Sequence, residues 1–196
     1  MYKMKFGNQV KLVITDFDGT LVDTFTANYK AYQDAFNTCG LNLDIESYKR
    51  CFGYRYEKFI ALIGIKDADV SKKIRQLKTS LYPKYFEYLK LNKPLLDFLL
   101  SFRSSGGKIA IASTARRNNL QNALDYLGLS QSFDYVLAGE EVSEGKPSPE
   151  IYTKVLDHFK LSPKEALVFE DSEIGMEASK RAGINFIHVN NKFYGN

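Results

Sequence analysis

Apolar residues in this chain change their rhythm twice. The run Lys11-Leu12-Val13-Ile14 is nearly continuous, as in a strand buried on both faces, and it stops at Asp16-Phe17-Asp18-Gly19. From Thr24, an expected N-cap, the spacing becomes helical. A first helix is predicted over residues 25–36, ending near Gly40, and a second starts at Asp44. A third covers 56–63, closed by Gly64, and the stretch 67–89 is one long helix or two, because Pro83 must kink or restart it. No strand is expected between Thr24 and Pro94. Beyond Pro94 the two rhythms alternate. Helices are predicted at 95–104, 118–127, 149–159 and 174–182, and strands at 108–112, 135–138, 166–169 and 185–189. Such alternation predicts an α/β fold, a doubly wound, mostly parallel sheet covered by helices on both faces. An all-helical insert interrupts it. The expected division is a core of residues 1–23 and 91–196 with a helical cap at 24–90.

Composition narrows the function classes. A chain of 196 residues can hold one domain with a smaller inserted one. Its net charge of +4 comes with no Lys/Arg-rich block, so neither a nucleic acid nor a membrane is an expected partner. Cys39 and Cys51 are too few for a disulfide framework or a zinc site, and reduced thiols are expected. The segment Met1-Tyr2-Lys3-Met4-Lys5-Phe6 lacks the apolar centre of a signal peptide, and no apolar run is long enough to span a bilayer. A cytoplasmic protein is expected.

The chemistry gathers where predicted strands end. Asp16 and Asp18 lie two apart, so on an extended backbone they can face the same way. Two adjacent carboxylates stay ionised together only beside a positive charge, and a magnesium ion suits an all-oxygen site. Gly19 allows the tight bend that folds the following loop back over such an ion. A plain Asp-Gly turn would explain Asp-Phe-Asp-Gly alone, but not the whole string Asp16-Phe17-Asp18-Gly19-Thr20-Leu21-Val22-Asp23-Thr24. Further on, Ile109-Ala110-Ile111-Ala112 ends at Ser113-Thr114, and Leu167-Val168-Phe169 ends at Glu170-Asp171-Ser172. Between them Glu144-Gly145-Lys146-Pro147-Ser148-Pro149 presents a lysine on a rigid turn. Ligands of open parallel sheets bind beyond the carboxyl ends of the strands, where strand order reverses. Individually, Ser113 could cap a turn, Lys146 could be solvated, and Glu170 and Asp171 could cap a helix. Their shared position is what makes one pocket the better account.

These four segments resemble the motifs of the haloacid dehalogenase superfamily, in the order that family carries them. The resemblance covers essentially the whole core and implies a Rossmann-like fold with a helical cap. It implies that Asp16 is a nucleophile forming an aspartyl-phosphate, and that Asp18 is the general acid and then base. Magnesium would be held by Asp16, the Asp18 backbone carbonyl and Asp171, with Glu170 binding directly or through water. Ser113 would hold phosphoryl oxygens and Lys146 would offset their charge and bridge to Asp16, while Thr20 orients the loop. Dehalogenases of the family typically carry tyrosine at the position of Asp18, and phosphonate-cleaving members a small residue with a cap lysine. Asp18 therefore favours phosphate-ester chemistry. The expected function is a magnesium-dependent phosphatase acting on a small phosphate monoester, a sugar phosphate or phosphoglycolate-like compound.

Two alternatives remain open. The strings Gly145-Lys146-Pro147-Ser148-Pro149-Glu150 and Phe169-Glu170-Asp171-Ser172 also resemble sugar-phosphate mutases of the β-phosphoglucomutase type. Those carry a cap histidine at a position corresponding to about Asn28. The histidines here are His158 and His188, both expected in packed or surface positions. A non-catalytic phosphate-binding module is more distant, since Asp16, Asp18, Lys146 and Asp171 are all present. Specificity is expected from the basic-aromatic cluster Arg50, Tyr54, Arg55 and Lys58, with Asn28 and Tyr32, and from Thr114 and Arg116 beside Ser113. An equal alternative is that the cap cluster forms a solvated face. A monomer is expected, with a dimer as the alternative; the tail Asn190-Asn191-Lys192-Phe193-Tyr194-Gly195-Asn196 is shorter than in many members of the family it resembles, which bears on edge packing or dimer contacts.

Overall fold

A computed structural model describes residues 10–190. The Met1–Phe6 reading, and the tail from 191 onward, lie outside the described residues. Five strands form one parallel sheet in the order β5-β4-β1-β6-β7. They are β1 (Leu12–Thr15), β4 (Lys108–Ala112), β5 (Tyr135–Leu137), β6 (Ala166–Glu170) and β7 (Asn185–His188). Each sits within two residues of its expected span. From β1 the chain builds outward through β4 and β5, then returns to lay β6 on the other side of β1. Strand order thus reverses at β1, and a crevice is expected beyond its carboxyl end.

Alternation along the buried strands separates two cores. Val13, Ile109, Ile111 and Phe169 face one side, where α5 (Lys93–Ser104) and α6 (Arg117–Tyr126) bring Leu96, Leu99, Phe102, Leu120 and Leu124. Leu12, Ile14, Ala110, Ala112 and Val168 face the other, under α7 (Glu150–Phe159) and α8 (Glu173–Arg181). The small Ala110 and Ala112 leave room for Tyr152 of α7, which is fully buried.

Between β1 and α5 lie α1 (Phe25–Thr38), α2 (Ile45–Lys49), α3 (Tyr56–Ile63) and α4 (Ala68–Leu81). Their own cluster is built on Phe36, Leu43, Tyr48, Phe59 and Ile74. Pro83 does restart the chain: α4 stops at Leu81, and Tyr82–Tyr88 continues as a 3₁₀ turn. The expectation of no strand before Pro94 needs correction. Lys90–Leu91 (β3) pairs antiparallel with Val22–Asp23 (β2), two residues each, too short for a periodic signal. Thr24 takes the N-cap position of α1 as expected, but its side chain makes no capping bond; Asp23 accepts from the Phe25 N–H at 3.1 Å.

Candidate active site

The crevice beyond β1 is lined by Asp16, Asp18, Thr114, Lys146, Asp171 and Ser172, with Lys49, Phe52 and Gly53 facing them from the α1–α4 layer. Asp16 is fixed by the sheet itself, because its N–H continues the ladder to the Phe169 carbonyl at 3.0 Å. Ser113 is held likewise, its N–H reaching the Leu137 carbonyl at 3.0 Å. Strand ends therefore aim these side chains, which leaves little entropy to lose when they act.

At the centre, Lys146 Nζ donates to Asp16 Oδ1 at 2.7 Å, to the Ala112 carbonyl at 3.2 Å and to Glu170 Oε1. Burial alone would favour the neutral amine, but the carboxylates of Asp16 and Glu170 outweigh it and hold the ammonium charged well above its ordinary range. One ammonium does not balance the cluster. Oxygens of Asp16, Glu170 and Asp171 all lie within 4.8 Å of one another. Burial, with Glu170, Asp171 and Asp18 adding to it against Lys146, pushes the Asp16 carboxyl well above its usual range. Burial and Glu170 likewise push Asp171 up to about 6. An all-oxygen set with surplus negative charge fits a hard divalent cation.

Glu170 belongs to this carboxylate group, and both of its oxygens also accept hydrogen bonds from protein donors. Tyr152 OH and Lys146 supply its Oε1, while the Ser172 N–H and hydroxyl supply Oε2, both at 3.0 Å. The carboxylate is fully buried and spends its oxygens on positioning Lys146 and the start of α8. Gly175 makes this possible, since a Cβ there would lie 1.8 Å from Glu170 Oε1. In an ordinary helix Gly→Ala stabilises by about 1 kcal/mol. Here Gly175→Ala is expected to destabilise by about 1–3 kcal/mol, read by urea denaturation. A gain in stability would contradict the packing. Gly19 is constrained in the same way, with φ +93° and a virtual Cβ 2.2 Å from Asp171 Oδ2. Thr20, from the same loop, donates to Asp171 Oδ1 at 2.8 Å.

Asp18 is held by three donors. Thr24 Oγ1 lies 2.5 Å and Asn28 Nδ2 3.2 Å from its Oδ1, and Ser113 Oγ lies 3.3 Å from its Oδ2. Ser113, expected to face a phosphoryl group, is fully buried and also accepts from the Ala115 N–H at 3.0 Å. Thr114 is the hydroxyl that lines the crevice, and it donates to the Gly53 carbonyl at 3.3 Å.

A second cavity opens from Asp18 into the α1–α4 layer, walled by Asn28, Tyr32, Tyr48, Tyr54, Phe59 and Lys78. The sequence cluster around Gly53 contributes to it only in part. Arg55 and Lys58 do not line it: Arg55 reaches the Ser143 carbonyl at 3.2 Å, and Lys58 lies 6.0 Å from the Tyr54 ring centre. Arg50 lines a groove on the outer surface of the layer instead. Arg116 does line the cavity, with its Nε paired to Glu140 at 2.6 Å. Two cations of this cavity had no place in the sequence reading, Arg75 and Lys78, the latter buried 3.8 Å from the Tyr82 ring centre and 5.3 Å from that of Tyr32. Burial pulls its ammonium down to about 7. Its signal was a lysine four residues after Ile74, on the apolar stripe of α4.

The fold and this site define an α/β enzyme that handles an anionic group at the carboxyl edge of its sheet. The chain belongs to the haloacid dehalogenase-like hydrolase family, whose pattern matches residues 13–189. It is 31% identical over 185 residues to a phosphorylated carbohydrates phosphatase of Thermotoga maritima, covering 91% of this chain and 84% of that one. It is 26% identical over 181 residues to the fructose-1-phosphate phosphatase YqaB of Escherichia coli, covering 90% and 95%. The crystal structure of CbbY from Rhodobacter sphaeroides in complex with phosphate shares the fold, with a TM-score of 0.84 at 24% identity, covering 95% of this chain and 89% of that one. Among the described residues no helix is long and apolar enough to cross a membrane.

Proposed function

We propose that the protein is a magnesium-dependent phosphatase that hydrolyses a small phosphorylated metabolite, a sugar phosphate or phosphoglycolate-like monoester, through an aspartyl-phosphate on Asp16. The observation that carries this reading is the meeting of Asp16 and Asp171, at two strand ends, with Lys146 from the loop before α7, and with Asp18 held beside them. The names of the Thermotoga maritima and Escherichia coli relatives support a carbohydrate monoester. Residues 1–23 and 91–196 serve as the catalytic core, and 24–90 as a cap that shields the crevice from water.

In the first half-reaction a carboxylate oxygen of Asp16 bonds to phosphorus as the bond to the leaving oxygen breaks. Asp18 gives that oxygen its proton. In the second, Asp18 takes a proton from water, whose oxygen attacks phosphorus, and the Asp16–phosphorus bond breaks to release phosphate. Lys146 fixes the attacking carboxylate and offsets phosphoryl charge, and Ser113, Thr24 and Asn28 hold Asp18 in place. Asp16, Asp171 and the Asp18 backbone would hold magnesium, which supplies charge neutralisation to the phosphoryl group when bound. A mutase reading is not favoured. Asn28 supplies an amide to Asp18, and His158 is stacked 3.8 Å from the Tyr135 ring, on the outside of the core.

The test is phosphate release from 4-nitrophenyl phosphate and from a panel of sugar phosphates, abolished by EDTA and restored by Mg²⁺. No turnover across the panel would overturn the reading. The metal arm has a second readout. Asp171 is raised from about 3.8 unfolded to about 6 folded, so between those values the folded state holds the extra proton. Metal-free stability should therefore fall as pH rises through that window, and Mg²⁺ must displace the proton below pH 6. The Mg²⁺-induced rise in Tm is expected to be larger at pH 7 than at pH 5; equal shifts would count against Asp171 as a ligand.

A further inference from the structure

Among the described residues, two buried polar atoms that have no partner belong to residues lining the second cavity. Asn119 Oδ1, on α6, and Arg75 Nε, on α4, are both buried without a hydrogen bond, and both residues line the cavity that opens from Asp18. Asn119 is 8% exposed. Unpaired buried polar atoms cost about 1–3 kcal/mol each, so two of them on residues of one cavity wall call for partners that a ligand can supply. We propose that this end of the cavity recognises a hydroxyl group of a carbohydrate leaving group. Asn119 Oδ1 accepts from that hydroxyl and the Arg75 Nε–H donates to it. This inference rests on the phosphatase reading and narrows its substrate class.

The chemistry selects a hydroxyl over a second anion. A hydroxyl donates and accepts at once, which matches one orphan acceptor and one orphan donor. A carboxylate or phosphate would satisfy Arg75 but confront Asn119 Oδ1 with another acceptor. The arginines at the cavity are also already paired. Arg75 bonds Glu57 at 2.9 Å and lies 4.2 Å from the Tyr56 ring centre, and Arg116 is bound to Glu140. Lys78 has no ion-pair partner among the described residues, and burial works against its charge, which Asp18 only partly offsets. The aromatic side chains of Tyr32, Tyr48 and Phe59 along the wall give it an apolar character that suits the C–H surface of a sugar.

Calorimetric binding to the Asp16→Asn variant tests the subsite apart from turnover. The ligands are fructose 1-phosphate, glucose 6-phosphate, erythrose 4-phosphate and phosphoglycolate. The tightest sugar phosphate is expected to bind at least about tenfold more tightly than phosphoglycolate. Adding Asn119→Leu, or Arg75→Lys, which keeps the charge but removes the Nε–H, should reduce that ratio about tenfold. Circular dichroism checks that each variant is folded, and the two changes lie on different helices. Phosphoglycolate binding best, no sugar phosphate binding, or a ratio unmoved by the folded variants would overturn the inference. If the unaltered enzyme released no phosphate even from 4-nitrophenyl phosphate, the phosphatase reading would fall instead, and the binding ratios would still judge the subsite.

Discussion

Asp16→Asn is expected to cut phosphate release by about 10⁴-fold or more while leaving the fold intact. Loss of a covalent nucleophile has effects of that order, because no other group in the crevice can take its place in line. The fold should survive, since Asn keeps the shape of Asp and an oxygen that can accept from Lys146. The Asp16 N–H also stays tied to the Phe169 carbonyl at 3.0 Å. One further consequence separates loss of chemistry from general damage. Asp16, Glu170 and Asp171 crowd one ammonium, and removing one negative charge relieves them. Without metal, Tm should therefore be unchanged or higher, and the Mg²⁺-induced rise in Tm should shrink. Phosphate release and thermal unfolding, each with and without EDTA, check both statements. Activity within tenfold of the parent would remove Asp16 from the role of nucleophile.

The same site shows how much of a crevice a sequence can reveal. Asp16, Lys146 and Asp171 were legible because each ends a buried run or sits in a turn next to one, and a parallel sheet brings its strand ends together. The strands were legible for a related reason: segments such as Ile109-Ala110-Ile111-Ala112 are apolar on both faces and have one reading. The roles of neighbouring groups were harder to read. Thr24 does sit at the N-cap, yet its hydroxyl serves Asp18, six residues back, while Asp23 accepts from the Phe25 N–H. Glu170 was legible as an acid at a strand end, but its bonds to Tyr152 and Ser172 were not, because only packing of α7 against β4 brings Tyr152 there.

The α1–α4 layer was least legible, for a physical reason. A helix presents several faces, and which of them meets the core depends on helices distant in sequence. Arg55 and Lys58 were conspicuous beside Gly53, but Arg55 turns to the loop before Lys146 and packs on Gly145, where a Cβ would lie 2.1 Å from its Cδ. Arg75, Lys78 and Asn119 stood out less. They come from α4 and α6, with β3, α5 and β4 between them in the chain, and only the fold puts them on one cavity.

Lys146→Met should be the most destabilising single change at the site, by about 3–5 kcal/mol in the absence of metal. The side chain is 1% exposed, and Asp16 and Glu170, its partners, are 8% and 0% exposed, so water cannot replace the lost cation. Glu170 would keep Tyr152 and Ser172 as donors, whereas Asp16 would lose its charged partner. The pH dependence identifies the cause. With the ammonium gone, the folded state favours protonated carboxyls more strongly than the unfolded chain does. It therefore binds more protons, and the loss of stability should shrink as pH falls from 8 to 5. Mg²⁺ at neutral pH should recover part of the loss, because it restores positive charge beside Asp16. Activity should stay far below the parent even then, since an ion does not reproduce the three bonds that hold Lys146. Urea denaturation at both pH values, with and without Mg²⁺, measures all of this. A pH-independent loss under about 1 kcal/mol would mean that Lys146 is not what holds these carboxylates together.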